Sequence, residues 1–246
     1  EPLRAALLEG KTPDAEELSP PDFLRGPLPF SLEELFAGLA EENRPGWSER
    51  FFGPFAERWR AVLQGSAVEP RPQVLELACG SANDYRYFAR YGLADLIDYT
   101  GVDFTEKNIR NARRRCPGVN FLCASVDALP LADQSVDYTF ACDIFEHLPE
   151  EVLERAFTEA LRVTRRELWL SFFALDWLEE HAFGWQVDRP RHVLSCDAVQ
   201  AFFQKRGHAC YLVDIPNEWP RRYPGYQHHN PLARMLVVNA VAEKAG

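Results

Sequence analysis

The 246 residues are enough to bury a large core in one domain, and 46% of them are hydrophobic. A formal net charge of −10 repels a polyphosphate on average, which disfavours nucleic acid as a partner. No stretch approaches about eighteen consecutive apolar residues, so no membrane span is expected.

In chain order, residues 1–30 are acidic and rich in proline, and are expected to be extended or partly disordered. Ser31-Leu32-Glu33-Glu34 is a capping box that opens a helix reaching about Glu42. A second helix is predicted from near Ser48, with Phe51, Phe55, Trp59 and Leu63 at spacing four. A stripe of that period must lie on another surface.

From residue 72 to 175 strands and helices alternate. Strands are predicted at 73–78, 98–103, 119–124, 136–142 and 167–173, and helices at 82–91, 105–115 and 150–163. This alternation requires a parallel sheet with right-handed crossovers. Thr105 is the expected cap of the helix at 105–115. The basic run on that helix (Lys107, Arg110, Arg113, Arg114 and Arg115) reads as a solvated face. Ser195 to Arg206 is a further amphipathic helix, and strand-like segments at 209–215 and 233–242 flank a loop of Pro, aromatic and Arg residues from Pro216 to Pro231. The six cysteines (79, 116, 123, 142, 196 and 210) form no C-x-x-C pair. That usage points to reduced thiols and a cytoplasmic location, not to a disulfide framework, and no metal-ligand constellation is evident.

The chemistry is concentrated in two strands. Val74-Leu75-Glu76-Leu77 runs into the small-residue turn Ala78-Cys79-Gly80-Ser81-Ala82-Asn83, and Tyr99-Thr100-Gly101-Val102 ends in Asp103, 23 positions past Gly80. This is the layout of a nucleoside site in a doubly wound sheet: the turn lets a ligand approach the backbone, and the acid takes ribose hydroxyls. A dinucleotide turn wants G-x-G-x-x-G, of which this turn has one glycine, and Glu76 would repel a pyrophosphate. A ligand carrying an amino group and a sulfonium would be welcome there.

At these residues the chain resembles the class I S-adenosylmethionine-dependent methyltransferases, whose first motif is an acid followed by alternating small residues. Ala78 and Ala82 stand where that family usually has glycine, and alanine reaches positive φ less easily; a displaced methionine moiety is the expected consequence. The resemblance continues through Ser125-Val126-Asp127-Ala128-Leu129-Pro130-Leu131, Ser135 to Asp143, and Ile144-Phe145-Glu146-His147-Leu148. It implies a mostly parallel seven-stranded Rossmann-like α/β domain over 71–246, with insertions near 174–195 and 216–231. It also implies a helical lid from 31–70.

Carried over residue by residue, the resemblance assigns the methionine part of the cofactor to Glu76, Gly80 and the Ala78 backbone, and the ribose diol to Asp103. Phe104, beside Asp103, is counted with the cofactor site. Ser125 and the Val126 backbone are favoured for the adenine, with Asp127 as the substitute. Asp143 would touch the cofactor amino group or the acceptor; capping the helix that begins near Pro149 is an equal alternative, and for Asp103 helix capping is the lesser alternative to the ribose role. The implied reaction is in-line methyl transfer from S-adenosylmethionine to oxygen or nitrogen of a small or medium-sized acceptor, releasing S-adenosylhomocysteine. Candidate general bases are His181 and His192, which flank the first insertion, and His147; each is more often a packed residue than a base. Competing readings are a protein or RNA methyltransferase, a non-catalytic nucleoside-binding or interaction module, and a nicotinamide oxidoreductase, which the missing glycines disfavour.

Overall fold

The computed structural model of the chain describes residue 58 and residues 61–62, 64–90, 92–186, 189–217 and 230–242. The proline-rich tail, the capping box at Ser31, the aromatic stripe proposed as a lid and most of the second insertion lie outside the described residues. The described residues fall into two compact units: those up to Arg71 with Asp84–Asp98, and Pro72–Asn83 with Tyr99 onward. In the first unit Arg71 pairs with Glu69 at 3.2 Å and Asp98 at 3.1 Å, helix α1 is centred on the segment Asn83–Arg90, and a 3-10 turn covers Ala94–Leu96.

The sheet has seven strands: β1 Gln73–Leu77, β2 Asp98–Asp103, β3 Asn120–Cys123, β4 Val136–Cys142, β5 Thr164–Phe172, β6 Cys210–Asp214 and β7 Arg234–Asn239. Their order is β6-β7-β5-β4-β1-β2-β3, with β7 antiparallel to both its neighbours and the β1–β4, β2–β3 and β4–β5 pairs parallel. The chain winds one way from β1 to β3 and the other way from β4 to β5. The reversal falls between β1 and β4, where an open sheet of this kind leaves a crevice beyond the carboxyl ends of its strands.

Helix α2 (Glu106–Arg115) buries only Ile109 and Ala112, and its arginines lie on the exposed side as the charge run implies. Helix α3 (Glu150–Val163) buries Leu153, Ala156, Phe157, Ala160 and Val163, a stripe at helical period. Phe157 meets Phe145 at 4.8 Å, Phe203 at 5.2 Å and Phe202 at 5.3 Å, so α3 and α4 (Cys196–Gln204) share one aromatic core. Strand β5 begins three residues before the predicted position. Arg165 and Arg166 interrupt the apolar pattern but pair with Asp137 at 3.2 and 3.3 Å, across a bulge between Val136 and Tyr138. The first insertion is ordered into two short pairs, Leu175–Asp176 with Leu194–Ser195 and Trp185–Gln186 with Arg189–Pro190.

Candidate active site

The turn after β1 is held from below by β2: the Cys79 amide donates to Val102 O at 2.9 Å, and the Ala82 amide donates to Cys79 O at 2.9 Å. Three residues of the turn are left-handed, Ala78 at φ 58°, Gly80 at φ 53° and Ala82 at φ 64°. The alternating small residues of the motif are therefore the alternating left-handed positions of the turn. Alanine occupies two of them at a steric cost that glycine would not carry. An added Cβ at Gly80 would meet nothing within 4 Å, so the backbone there is open to a ligand.

Asp103 closes this turn against β2. Its Oδ2 accepts the Gly80 amide at 3.0 Å; Oδ1 accepts the Thr105 amide at 2.8 Å and Asn108 Nδ2 at 3.2 Å. Thr105 stands at the N-cap of α2 but makes no side-chain capping bond; Asp103 takes its amide instead, so Asp103 combines the helix-start role with a place beside Gly80. A carboxylate has about four acceptor positions, so three donors leave room for one more. Phe104, next along the chain, is 76% exposed.

Glu76 is buried, and its carboxylate accepts the Tyr99 hydroxyl. Tyr99, Gly101 and Asp103 share a face of β2 by the two-residue period. Gly101 is required between the other two: a Cβ there would lie 2.8 Å from Cys79 Sγ, 2.8 Å from the Tyr99 hydroxyl and 2.9 Å from Phe121. Neither Tyr99 nor Asn108 was marked by the motif, although the period of β2 pointed to Tyr99.

Beyond β3, Ser125 is exposed and donates its hydroxyl to Asp127, while Val126 is buried. Asp127 is also gripped by Arg155 of α3, at 3.1 Å from Nε and 2.8 Å from Nη2. The Ser125 hydroxyl and the Arg155 guanidinium hold its carboxyl below the usual range. Asp127 is thus committed to α3, and Ser125 keeps the exposed place at the end of β3. Asp143 ends β4 in a left-handed conformation (φ 52°), with its amide on Ser171 O at 3.0 Å. The N-cap position of α3 is held by Pro149.

The histidines divide clearly. His192 is buried; its Nδ1 accepts the Gly184 amide at 3.0 Å, so Nε2 carries the proton and donates to Leu148 O at 2.9 Å. Both ring nitrogens of His192 are thus engaged with main-chain groups of the folded chain. His181 Nδ1 accepts the Ser195 amide at 2.9 Å, and burial pushes its pKa down against Glu150 and Glu154. The neutral ring then carries its proton on Nε2, so His181 is a donor in this arrangement. It lines a cavity of about 480 Å³ between α3, α4 and the insertion, with Leu153, Phe157, Phe183 and Phe202. Gly80, Asp103, Ser125 and Asp143 do not line that cavity. His147 is half-buried in the turn after β4.

A family model described as a methyltransferase domain matches residues 74–167, the stretch that builds β1 to β5. Those residues are a domain of the class I S-adenosylmethionine-dependent methyltransferase superfamily. The methyltransferase domain is similar to a demethylmenaquinone methyltransferase of Renibacterium salmoninarum, 30% identical over 44% of this chain and 44% of that protein. It is also similar to a probable S-adenosylmethionine-dependent methyltransferase of Mycolicibacterium smegmatis, 32% identical over 59% of this chain and 51% of that protein. The chain spans about half the length of these curated relatives. A crystal structure of a methyltransferase from Methanosarcina mazei shares the fold, with a TM-score of 0.52 and 15% identity over 72% of this chain and 96% of that one. The cofactor of the superfamily is S-adenosylmethionine, and the residues of the methyltransferase domain fit it: an open left-handed turn at Gly80, a carboxylate at its rim and an exposed aromatic face at Phe104.

Proposed function

We propose that the chain transfers a methyl group from S-adenosylmethionine to oxygen or nitrogen of a small or medium-sized acceptor. The single observation that carries the reading is the Gly80–Asp103 bond beside an unobstructed backbone, a cradle suited to the nucleoside and methionine ends of one ligand. When bound, the cofactor supplies a methyl group already activated on sulfur.

The chain's own residues have three tasks: to hold, to orient and to exclude water. Asp103 accepts ribose hydroxyls with its remaining capacity, Phe104 offers a face to the base, and Ser125 and the Val126 backbone meet its polar edge. Glu76 supplies negative charge beneath the turn that receives the methionine amino group. Asp143 projects from the end of β4, next to the switch point, toward cofactor or acceptor. His181, His192 and His147 are the candidates for the role of proton acceptor, and the pH profile of turnover in each alanine variant tests them.

An apolar or ring-bearing acceptor is supported by the exposed Trp177, Phe183 and Trp185, all on the insertion after β5. The relative named for demethylmenaquinone, a quinone, points the same way. Among the described residues no helix is long and apolar enough to cross a membrane, and no group of three or more His, Cys, Asp or Glu could hold a metal ion. The six free cysteines support a cytoplasmic location as part of the proposal.

Calorimetric titration with S-adenosylmethionine and S-adenosylhomocysteine, with NADH as control, tests the reading. Micromolar binding of either sulfur nucleoside, absent for NADH, is expected. No binding would overturn it and favour a non-catalytic interaction module.

A further inference from the structure

Glu146 is fully buried in the loop that leaves β4, an expensive place for a carboxyl unless it satisfies something there. Its Oε1 accepts the Phe173 amide at 2.6 Å, reaching the first residue beyond β5. Its main-chain oxygen accepts the His192 amide at 2.9 Å, reaching the far end of the insertion. His192 returns the connection: its ring donates to Leu148 O, two residues past Glu146, and accepts from Gly184 in the middle of the insertion. Phe145, immediately before Glu146, is anchored against Phe157 and Phe172 at 4.8 and 5.3 Å.

We propose that Glu146 is a positioning residue, whose side chain and carbonyl lock the β4 exit loop to the β5 exit and to the insertion. Asp143 and His147 sit on the first of these segments, and the aromatic residues Trp177, Phe183 and Trp185 on the last. The consequence for catalysis, though not the clamp itself, rests on the methyltransferase reading. In an in-line transfer, an acceptor seated between loops that slide would lose its alignment.

Oε2 is buried without a hydrogen-bond partner among the described residues. Burial, aided by the Asp143 charge, raises the pKa of this carboxyl. Both features favour the protonated acid, whose shape and acceptor oxygen glutamine reproduces and leucine does not.

The test compares Glu146→Gln with Glu146→Leu by hydrogen exchange, following peptides that report the amides of Phe173, Gly184 and His192. In Glu146→Leu these amides are expected to exchange about tenfold faster or more, with β1 and β2 unchanged, and in Glu146→Gln to stay within about threefold of the wild type. Acceleration confined to these segments and rescued by glutamine supports the clamp. Wild-type exchange in the leucine variant, or equal acceleration in both variants, would overturn it. If the leucine variant fails to fold, Glu146→Ala takes its place under the same expectations: acceleration at the three amides that glutamine rescues upholds the clamp, and wild-type exchange refutes it. A parallel titration of the wild-type chain with S-adenosylmethionine separates the two readings, since failure to bind would remove the methyltransferase function and leave the exchange result standing.

Discussion

Asp103 accepts the Gly80 amide at 3.0 Å, which ties the end of β2 to the open point of the β1 turn. Replacing Asp103 by alanine removes the proposed acceptor for ribose and a support for the turn together. S-adenosylmethionine binding is expected to weaken by about 1.5–3 kcal/mol, the scale of a hydrogen bond to a charged group. Calorimetric titration reads this directly, and an unchanged dissociation constant would sink the assignment.

The left-handed alanines make a paired prediction. Left-handed alanine costs roughly 1–2 kcal/mol relative to its preferred conformations, and glycine gives back part of that as unfolded-state entropy. Ala78→Gly is therefore expected to stabilise the chain by about 0.5–1 kcal/mol. Ala82 is fully buried, so Ala82→Gly also loses a methyl worth about 0.8 kcal/mol and should come out near neutral. Denaturant titration of the two variants would show the ordering; a destabilised Ala78→Gly would contradict it.

Gly101 faces the opposite constraint, one of space. A methyl there would approach Cys79 Sγ, the Tyr99 hydroxyl and Phe121 to within 2.9 Å. Overpacking of this kind costs about 1–3 kcal/mol, so Gly101→Ala should lower the unfolding free energy by that amount. It should also loosen the Tyr99 bond to Glu76, visible as a change in tyrosine absorbance. A variant as stable as the wild type would show that the turn and β2 yield more easily than their geometry indicates.

Two carboxyls predict opposite dependences on pH. Glu146 is raised by burial, so its neutral form is favoured in the folded chain. Its contribution is fully present below the ordinary glutamate value and is lost as pH rises through the folded value. Asp127 is lowered, first by Ser125 and then by Arg155, so its contribution is present above the ordinary aspartate value and lost as pH falls. Stability curves of Glu146→Gln and Asp127→Asn should each flatten one of these limbs. Parallel curves for variant and wild type would remove that residue from the account.

The alternation of strands and helices from 73 to 172 was readable because periodicity is local: α3 and β4 occur at their predicted bounds, 150–163 and 136–142. The departure at β5 involves long-range partners: Thr164 pairs with Val136 of β4, and Arg165 and Arg166 meet Asp137. The placing of Gly80 in the β1 turn and of Asp103 at the end of β2 was also legible, through spacing and the strand-end position of the acid; the bond between them was not.

The fate of the histidines was not. Nothing near His192 in the chain shows that the Leu148 carbonyl, 44 positions away, accepts a hydrogen bond from its ring, or that Glu146 reaches Phe173, 27 positions on. Nor does an alanine reveal that it will be held left-handed; the bonds from Cys79 to Val102 and from Ala82 to Cys79 impose that. Residue types and their spacing carry the alternation of strands and helices, the small-residue turn and its acid, because those depend on neighbours a few positions apart. Which polar atoms stay available for chemistry depends on partners brought together by the folded chain, and only the tertiary structure decides it.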